Sequence, residues 1–228
     1  MAKPTVTISV GSGNQCQKPA GWLGKFVLWN MNSRHSRVTD WGLSHVSIRK
    51  NDIILDVGCG GGRTVSKLAA MVADGKVYGI DHSGASVAFA KKVNRARIES
   101  GRVAIEEASV PQLPFSDNMF DLVTAVETHF WWPDLPAGMH EVFRVLKPGG
   151  TFVIIAEVYK GASTTMARLV EKHAPTSGIK LLSIDEHCEL FTKAGYSDIQ
   201  IDVKPEKGWI CGLGRKAWRE PPAAQSDA

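Results

Sequence analysis

The sequence contains few cysteines, and they are far apart. Its 228 residues include 4 Cys, at positions 16, 59, 188 and 211, and no two of them have the C-x-x-C spacing of a zinc or redox site. A small scaffold held together by disulfide bonds requires a much higher density of cysteine. The sequence therefore predicts reduced thiols and no metal site.

Long apolar runs and clusters of charge are absent as well. No stretch approaches the roughly 18 apolar residues that cross a bilayer, and the start of the chain lacks the basic and apolar regions of a secretion signal. The 27 basic and 23 acidic side chains are scattered, so the net charge of +4 does not form the basic stripe of a nucleic-acid-binding protein. We expect a cytoplasmic protein without a membrane span or a nucleic-acid partner; its oligomeric state is left open.

The composition is that of an ordinary globular domain. Hydrophobic residues make up 43% and charged residues 22% of the chain, whose length suits one domain. The segments 1–20 and 219–228 are rich in small and polar residues and lack periodicity, so we expect flexible ends. Between them, 21–218 is expected to form a single domain.

Short apolar runs alternate with segments of helical periodicity. Five runs read as strands covered on both faces: Ile53–Val57, Lys76–Ile80, Val103–Glu107, Phe120–Val126 and Thr151–Val158. Two more, Asp198–Val203 and Trp209–Leu213, are joined by a link too short for a parallel crossover, which predicts an antiparallel hairpin. Repeated β-α-β order predicts an α/β fold with a doubly wound, mostly parallel sheet and helices on both faces. Such sheets bind ligands beyond the carboxyl ends of their strands.

The first strand leads into a loop that is crowded with glycine. The segment 56–64 reads DVGCGGGRT, and its glycines allow backbone N–H groups to approach a ligand. Arg63 stands where the dinucleotide fingerprint G-x-G-x-x-G has its third glycine, and the G-K-[ST] phosphate loop is missing. A tight turn alone would need one or two glycines, and this loop has four. The loop therefore indicates a nucleotide-like ligand, although the dinucleotide fingerprint is incomplete.

Two acids next to this loop favour a ligand that carries no phosphate. Asp56 would repel a pyrophosphate, whereas it suits a cationic group. Asp81 ends the second strand about twenty residues after the loop, a position from which a carboxylate can accept both hydroxyls of a ribose. We therefore expect a ligand that combines a ribose with a cation.

Four segments, taken in order, resemble the motifs of one enzyme family. ILDVGCGGG at 54–62 resembles motif I of the class I S-adenosylmethionine-dependent methyltransferases, and VYGID at 77–81 resembles their second motif. LPF and FDLV within 113–123 resemble the strand-four motif, and RVLKPGG at 144–150 resembles the segment before strand five. The most similar branch is the small-molecule one that includes ubiquinone- and menaquinone-pathway methyltransferases. The resemblance implies strand order 3-2-1-4-5-7-6, with strand 7 antiparallel.

The resemblance also implies S-adenosylmethionine as cofactor, S-adenosylhomocysteine as product and a set of cofactor contacts. The loop residues Gly58, Cys59 and Gly60 would lie against the methionine and ribose parts, with Asp56 near the ammonium group and Asp81 on the ribose hydroxyls. The remaining contacts are expected at His82, Ala108, Ser109, Val110 and Glu127. Ser109 stands where the family commonly has an acid, and its hydroxyl would have to replace that acid toward the adenine.

The segment after strand four, ETHFWWPD at 127–134, is the candidate reaction site. Methyl transfer from a sulfonium needs alignment and desolvation, and for some nucleophiles it also needs removal of a proton. His129 would act as the general base, with Glu127 orienting it or holding the cofactor. The equally weighted alternative makes His129 a packing residue and Glu127 a cofactor contact only.

The acceptor pocket is expected to combine segments from outside the four motifs. N-terminal lid helices at 21–48 would contribute Asn32 and His35, although an amphipathic helix on a membrane surface is a competing interpretation of that segment. A cap insert is expected at 161–180. The other candidate pocket residues are Phe130, Trp131 and Tyr159. Motifs of nucleic-acid amino and cytosine C5 methylation are missing after strand four, so we expect a small, partly apolar acceptor.

Two other functions remain open at this point. A nicotinamide-dependent oxidoreductase would share the fold, but Arg63 in place of the third glycine disfavours it. A catalytically silent module would bind the cofactor within a complex and methylate nothing.

Overall fold

The computed structural model describes residues 36–218 of the chain. Asn32, His35 and the predicted ends at 1–20 and 219–228 lie outside the described residues, as does most of the expected lid. The seven strands are β1 (Ile53–Val57), β2 (Lys76–Asp81), β3 (Val103–Glu107), β4 (Phe120–Val126), β5 (Leu146–Ala156), β6 (Ser197–Lys204) and β7 (Trp209–Arg215). The helices of this region are α1 (Ser36–Leu43), α2 (Arg63–Met71), α3 (Gly84–Val93), α4 (Arg95–Glu99), α5 (Leu135–Val145), α6 (Thr165–Ser177) and α7 (Ile184–Lys193), with a 3-10 turn at His129–Trp131.

The strands form one sheet in the order β3-β2-β1-β4-β5-β7-β6. All neighbouring pairs are parallel except those of β7, which is antiparallel to both β5 and β6. The predicted fold class, strand order and antiparallel hairpin are therefore confirmed. Because β1 lies between β2 and β4, Asp56 is in register with Gly79 on one side and Thr124 on the other.

The core consists of two apolar layers, one on each face of the sheet. One layer packs α5 and α7 against the strands around Phe120, Phe152 and Met139. The other packs α1, α2 and α3 around Leu68 and Ile155. Strands such as β4 are buried along most of their length because both of their faces are covered, which explains their continuous apolar sequence.

Side-chain caps start several of the helices. The Ser83 hydroxyl accepts from the Ser86 N–H at the start of α3. At the start of α7, Ser183 and Glu186 each accept a hydrogen bond from the other's backbone N–H, which forms a capping box. These caps satisfy N–H groups that have no partner within a helix.

The boundaries of β5 differ from the prediction of Thr151–Val158. The strand begins at Leu146, which pairs with Phe120 instead of extending α5, and it ends at Ala156. It ends there because the N–H of Glu157 donates to the side chain of Glu127 rather than to a neighbouring strand. The carboxyl ends of β4 and β5 are thus joined by a side chain, directly beside the candidate site.

The expected cap insert at 161–180 contains α6. This helix carries Pro175 in its last turn and buries only Ala167, and Gly178 ends it with a φ of 75°. Its role as a cap stays a prediction. None of the helices within residues 36–218 combines the length and the apolar character needed to cross a membrane.

Candidate active site

A cavity of about 400 Å³ opens at the carboxyl ends of β1, β2 and β4. Its volume lies within the range of roughly 300–1,000 Å³ that is typical of ligand pockets. The walls come from the glycine loop, the ends of β2 and β3, and the segment that follows β4, with contributions from α1 and from the connection after α6. The topology thus brings together the chain segments that the motifs single out.

The glycine loop is folded back onto β2. The N–H groups of Gly58 and Cys59 both donate to the carbonyl of Ile80, each over 2.8 Å. Gly58 has a φ of 73°, and a Cβ there would overlap the side chain of Thr128. Gly60 has a φ of 50°, and a Cβ there would meet no atom within 4 Å. The loop therefore needs glycine at 58 for close packing, and it leaves free space beside Gly60 on the wall of the cavity.

The carboxylate of Asp81 connects the end of β2 to the glycine loop. One oxygen accepts from the Gly60 N–H and the other from the Ser83 N–H, both over 2.9 Å. Each carboxylate oxygen has a second lone pair. Because Asp81 also lines the cavity, it can accept two further hydrogen bonds from a ligand while the backbone keeps it in place. This arrangement fits a pair of ribose hydroxyls.

Asp56 is a second acid on the wall, and it is almost completely buried. Its side chain accepts a hydrogen bond of 2.7 Å from the Thr124 hydroxyl on the neighbouring strand. Burial raises the pKa of Asp56 from 3.8 to about 7; the Thr124 hydrogen bond opposes the rise and the charge of Asp81 adds to it. A cationic ligand group nearby would favour ionisation of Asp56 and offset its loss of hydration.

Glu127 lies in a strained backbone conformation at the end of β4. Its φ is 57°, which is uncommon for a residue with a side chain. Its N–H donates to the Ile155 carbonyl over 2.9 Å, and its carboxylate accepts from the N–H of Glu157. These contacts hold the Glu127 side chain on the wall of the cavity. Strain of this kind is concentrated at functional sites.

The predicted cofactor contacts all lie on the wall of this one cavity. They are Asp56, Gly58, Cys59, Gly60, Asp81, His82, Ala108, Ser109, Val110 and Glu127. Their acidic groups, the open space beside Gly60 and the apolar Ala108 and Val110 fit a ligand that combines a ribose, a cation and a flat base. Their individual roles stay predictions. Among the described residues there is no group of three side chains suited to bind a metal ion.

Only some of the candidate catalytic and acceptor-pocket residues line the cavity. Glu127 and Trp131 line the cavity, whereas His129, Phe130 and Tyr159 do not. Phe130 and Tyr159 pack in a small apolar cluster behind the wall. The 3-10 turn after β4 directs the side chains of His129 and Phe130 away from the cavity, so sequence proximity to Trp131 does not bring Phe130 into it.

His129 points into the protein and contacts a second buried histidine. The Nε2 atoms of His129 and His187 are 3.2 Å apart, and Nδ1 of His187 is 2.7 Å from the Ser183 carbonyl. Burial lowers the pKa of both rings, and the charge of His187 lowers that of His129 further. With 1% of its surface exposed, His129 has no direct contact with a ligand in the cavity. This geometry favours the packing alternative over the general base.

Several wall residues were not singled out from the sequence. Pro133 follows the two tryptophans on one wall, and Thr128 lies beside Gly58. Lys180 and Gly178 come from the connection between α6 and α7. Only the aromatic run carried a signal in the sequence, because the position of Lys180 depends on where α6 ends.

Comparisons with known proteins agree with this geometry. A family described as "Methyltransferase domain" matches residues 55–154. An "O-methyltransferase" of Pyrenophora dematioidea is 30% identical over 161 residues, which cover 70% of this chain and 60% of that protein. "Uncharacterized methyltransferase YdaC" of Bacillus subtilis (strain 168) is 27% identical over 190 residues, covering 82% of this chain and 95% of that protein.

A solved structure shares the fold. It is the putative methyltransferase in a complex with the Haloferax volcanii Trm112 methyltransferase activator, with a TM-score of 0.73 and 21% identity. The match covers 86% of this chain and 96% of that chain. Relatives differ in length, since this chain spans 60% of the Pyrenophora dematioidea protein but 95% of the Bacillus subtilis one.

Proposed function

Because the chain belongs to the class I S-adenosylmethionine-dependent methyltransferases, we propose that it transfers a methyl group to a small, partly apolar acceptor by direct displacement. The observation that supports this best is the pair of acids, Asp56 and Asp81, on the wall that the glycine loop forms. When bound, S-adenosylmethionine would supply a methyl group that is already activated because it is attached to a sulfonium. The protein's task is to align the two reactants and to exclude water.

The cofactor would lie along the ends of β1, β2 and β3. Asp81 would accept hydrogen bonds from the two ribose hydroxyls with the lone pairs that Gly60 and Ser83 leave unused. Ala108, Ser109 and Val110 would form the wall for the adenine. Asp56 would hold the ammonium group, whose charge would favour ionisation of the Asp56 carboxyl, and the product would be S-adenosylhomocysteine.

The acceptor would lie against the segment that follows β4. Trp131, Trp132 and Pro133 give this wall an apolar surface that excludes water. Glu127, held by its contact with the Glu157 N–H, faces the space between the two reactants. We propose that His129 supports the wall from behind, that the enzyme acts in the cytoplasm, and that neither nucleic acid nor a metal takes part.

Calorimetric titration with S-adenosylhomocysteine tests the cofactor assignment. We expect stoichiometric binding that Asp81→Ala weakens at least a hundredfold, because the variant loses two charge-assisted hydrogen bonds to the ribose. Asp74→Ala is the matched control, since Asp74 is exposed and does not line the cavity. No binding to the wild-type protein would refute the assignment, and binding of NADH in its place would favour an oxidoreductase.

A second measurement separates an enzyme from a silent binding module. The protein is incubated with methyl-labelled cofactor and a cell extract, and labelled small molecules are detected by mass spectrometry. An enzyme produces labelled products, whereas a module that only binds the cofactor produces none.

A further inference from the structure

A lysine at the rim of the cavity has no part in the proposed cofactor contacts. Lys180 lies in the connection between α6 and α7, two residues after Gly178 turns the chain at the end of α6. Its backbone N–H donates to the Phe130 carbonyl over 3.0 Å, and its ammonium donates to the Pro133 carbonyl over 2.8 Å. Both contacts fix Lys180 on the apolar wall that follows β4.

The ammonium group of Lys180 keeps donors that the protein does not use. A lysine carries three N–H donors, and the Pro133 carbonyl takes one of them. Within residues 36–218, no carboxylate forms an ion pair with Lys180. Its charge and its spare donors are therefore available to a ligand in the cavity, which Lys180 lines.

The other two long basic side chains on the wall are placed differently. Lys67 forms an ion pair with Asp40 and lies 3.4 Å from the Ser36 carbonyl. Arg63 begins α2 directly after the glycine loop, where the amino-acid part of the cofactor would lie. A carboxylate of the cofactor thus has Arg63 and the start of α2 beside it. Lys180 belongs to the wall that we assign to the acceptor.

We propose that Lys180 binds an anionic group, a carboxylate or a phosphate, on the methyl acceptor. The inference rests on the proposed methyltransferase function and adds a substrate class to it. The acceptor combines an apolar body, which lies against Trp131 and Trp132, with one negative charge at the rim of the cavity. The acids Asp56 and Asp81 lie at the ends of β1 and β2, whereas Lys180 contacts the segment that follows β4.

The test compares variants in the extract assay. Labelled products are separated on an anion-exchange column at pH 7, and phosphatase treatment then distinguishes phosphates from carboxylates. We expect the column to retain the wild-type products and Lys180→Met to reduce their formation at least tenfold. Lys180→Arg, which keeps the charge, should restore most of it. Lys172→Met, at an exposed position of α6 that does not line the cavity, should change nothing.

The outcomes distinguish failure of this inference from failure of the proposed function. Labelled products that the column does not retain would overturn the inference and leave the methyltransferase standing. The absence of any labelled product would overturn both. A third outcome concerns the cofactor. Lys180→Met could weaken the binding of S-adenosylhomocysteine tenfold and leave unchanged the binding of 5′-methylthioadenosine, which lacks the amino-acid part. In that case Lys180 binds the cofactor and the inference is wrong. Equal melting temperatures of the variants show that the fold is intact.

Discussion

The buried carboxyl group of Asp56 offers a direct test of the electrostatics of the cavity. Burial raises its pKa from 3.8 to about 7, against the Thr124 hydrogen bond and together with the charge of Asp81. At pH 5, Asp56 is therefore protonated in the folded chain and ionised in the unfolded chain. Because the folded state binds the additional proton, its free energy of unfolding falls as the pH rises from about 4 to about 7 and then levels off.

Asp56→Asn removes this dependence, because an amide does not ionise. Its oxygen can still accept the hydrogen bond that the Thr124 hydroxyl donates. From pH 5 to pH 8 the wild type loses up to about 1.4 kcal/mol per pH unit through this group, or about 3 kcal/mol in all. The difference in free energy of unfolding between Asp56→Asn and the wild type is measured by urea unfolding. We expect this difference to shift by about 3 kcal/mol in favour of the variant between pH 5 and pH 8.

The control and the ligand complete the test of Asp56. Asp74→Asn, at an exposed position, should follow the wild type at every pH. Stability curves of Asp56→Asn and the wild type that stay parallel between pH 5 and pH 8 would refute the reasoning. S-adenosylhomocysteine should bind the wild type about tenfold more weakly at pH 6 than above pH 7, since binding must then ionise Asp56. In Asp56→Asn the affinity for S-adenosylhomocysteine should lose this pH dependence, because the variant lacks the carboxylate that would contact the ammonium group.

Two further substitutions test the backbone of the site and the support of α5. Gly58→Ala should cost about 3 kcal/mol or more and abolish cofactor binding, because it adds a Cβ against Thr128 at a φ of 73°. Gly161→Ala, at a φ of 86° with open space around it, should cost only about 1 kcal/mol, and equal losses would argue against the clash. Lys216→Met should cost about 2 kcal/mol in thermal unfolding, because the ammonium donates to the carbonyls of Phe143 and Leu146, both over 2.8 Å, at the end of α5. Lys193→Met, which removes an exposed ion pair with Glu189, should stay within about 0.5 kcal/mol, and a similar loss in both variants would contradict the role of Lys216.

The part of the cavity that the glycine loop, Asp56 and Asp81 form could be predicted from the sequence, because its position in the fold depends on local rules. Asp56 and Asp81 end adjacent parallel strands, and the carboxyl ends of such strands meet at one edge of the sheet. The glycines in the loop between these two acids indicate a backbone that can approach a ligand, because glycine has no Cβ and tolerates a positive φ. Topology and local sequence together were sufficient for this part.

The wall that follows β4 depends on packing that leaves little trace in the sequence. His129 and Trp131 are two residues apart, and only the shape of the 3-10 turn places one inside the protein and the other on the cavity. Lys180 reaches the rim because α6 ends at Ser177 and the next residues bond to the segment after β4. Such contacts between distant segments depend on the length of a helix rather than on the type of one residue.

The two buried histidines determine each other's tautomer. The Ser183 carbonyl can only accept, so Nδ1 of His187 carries a proton and Nε2 of the neutral ring is an acceptor. His129 must therefore donate from Nε2, which leaves its buried Nδ1 as a lone pair without a hydrogen-bond partner among residues 36–218. A change at either position alone strands a polar atom of the other ring, whereas replacing both rings together removes the problem. The two positions are thus coupled energetically, and the pair links the start of α7 to the segment that follows β4.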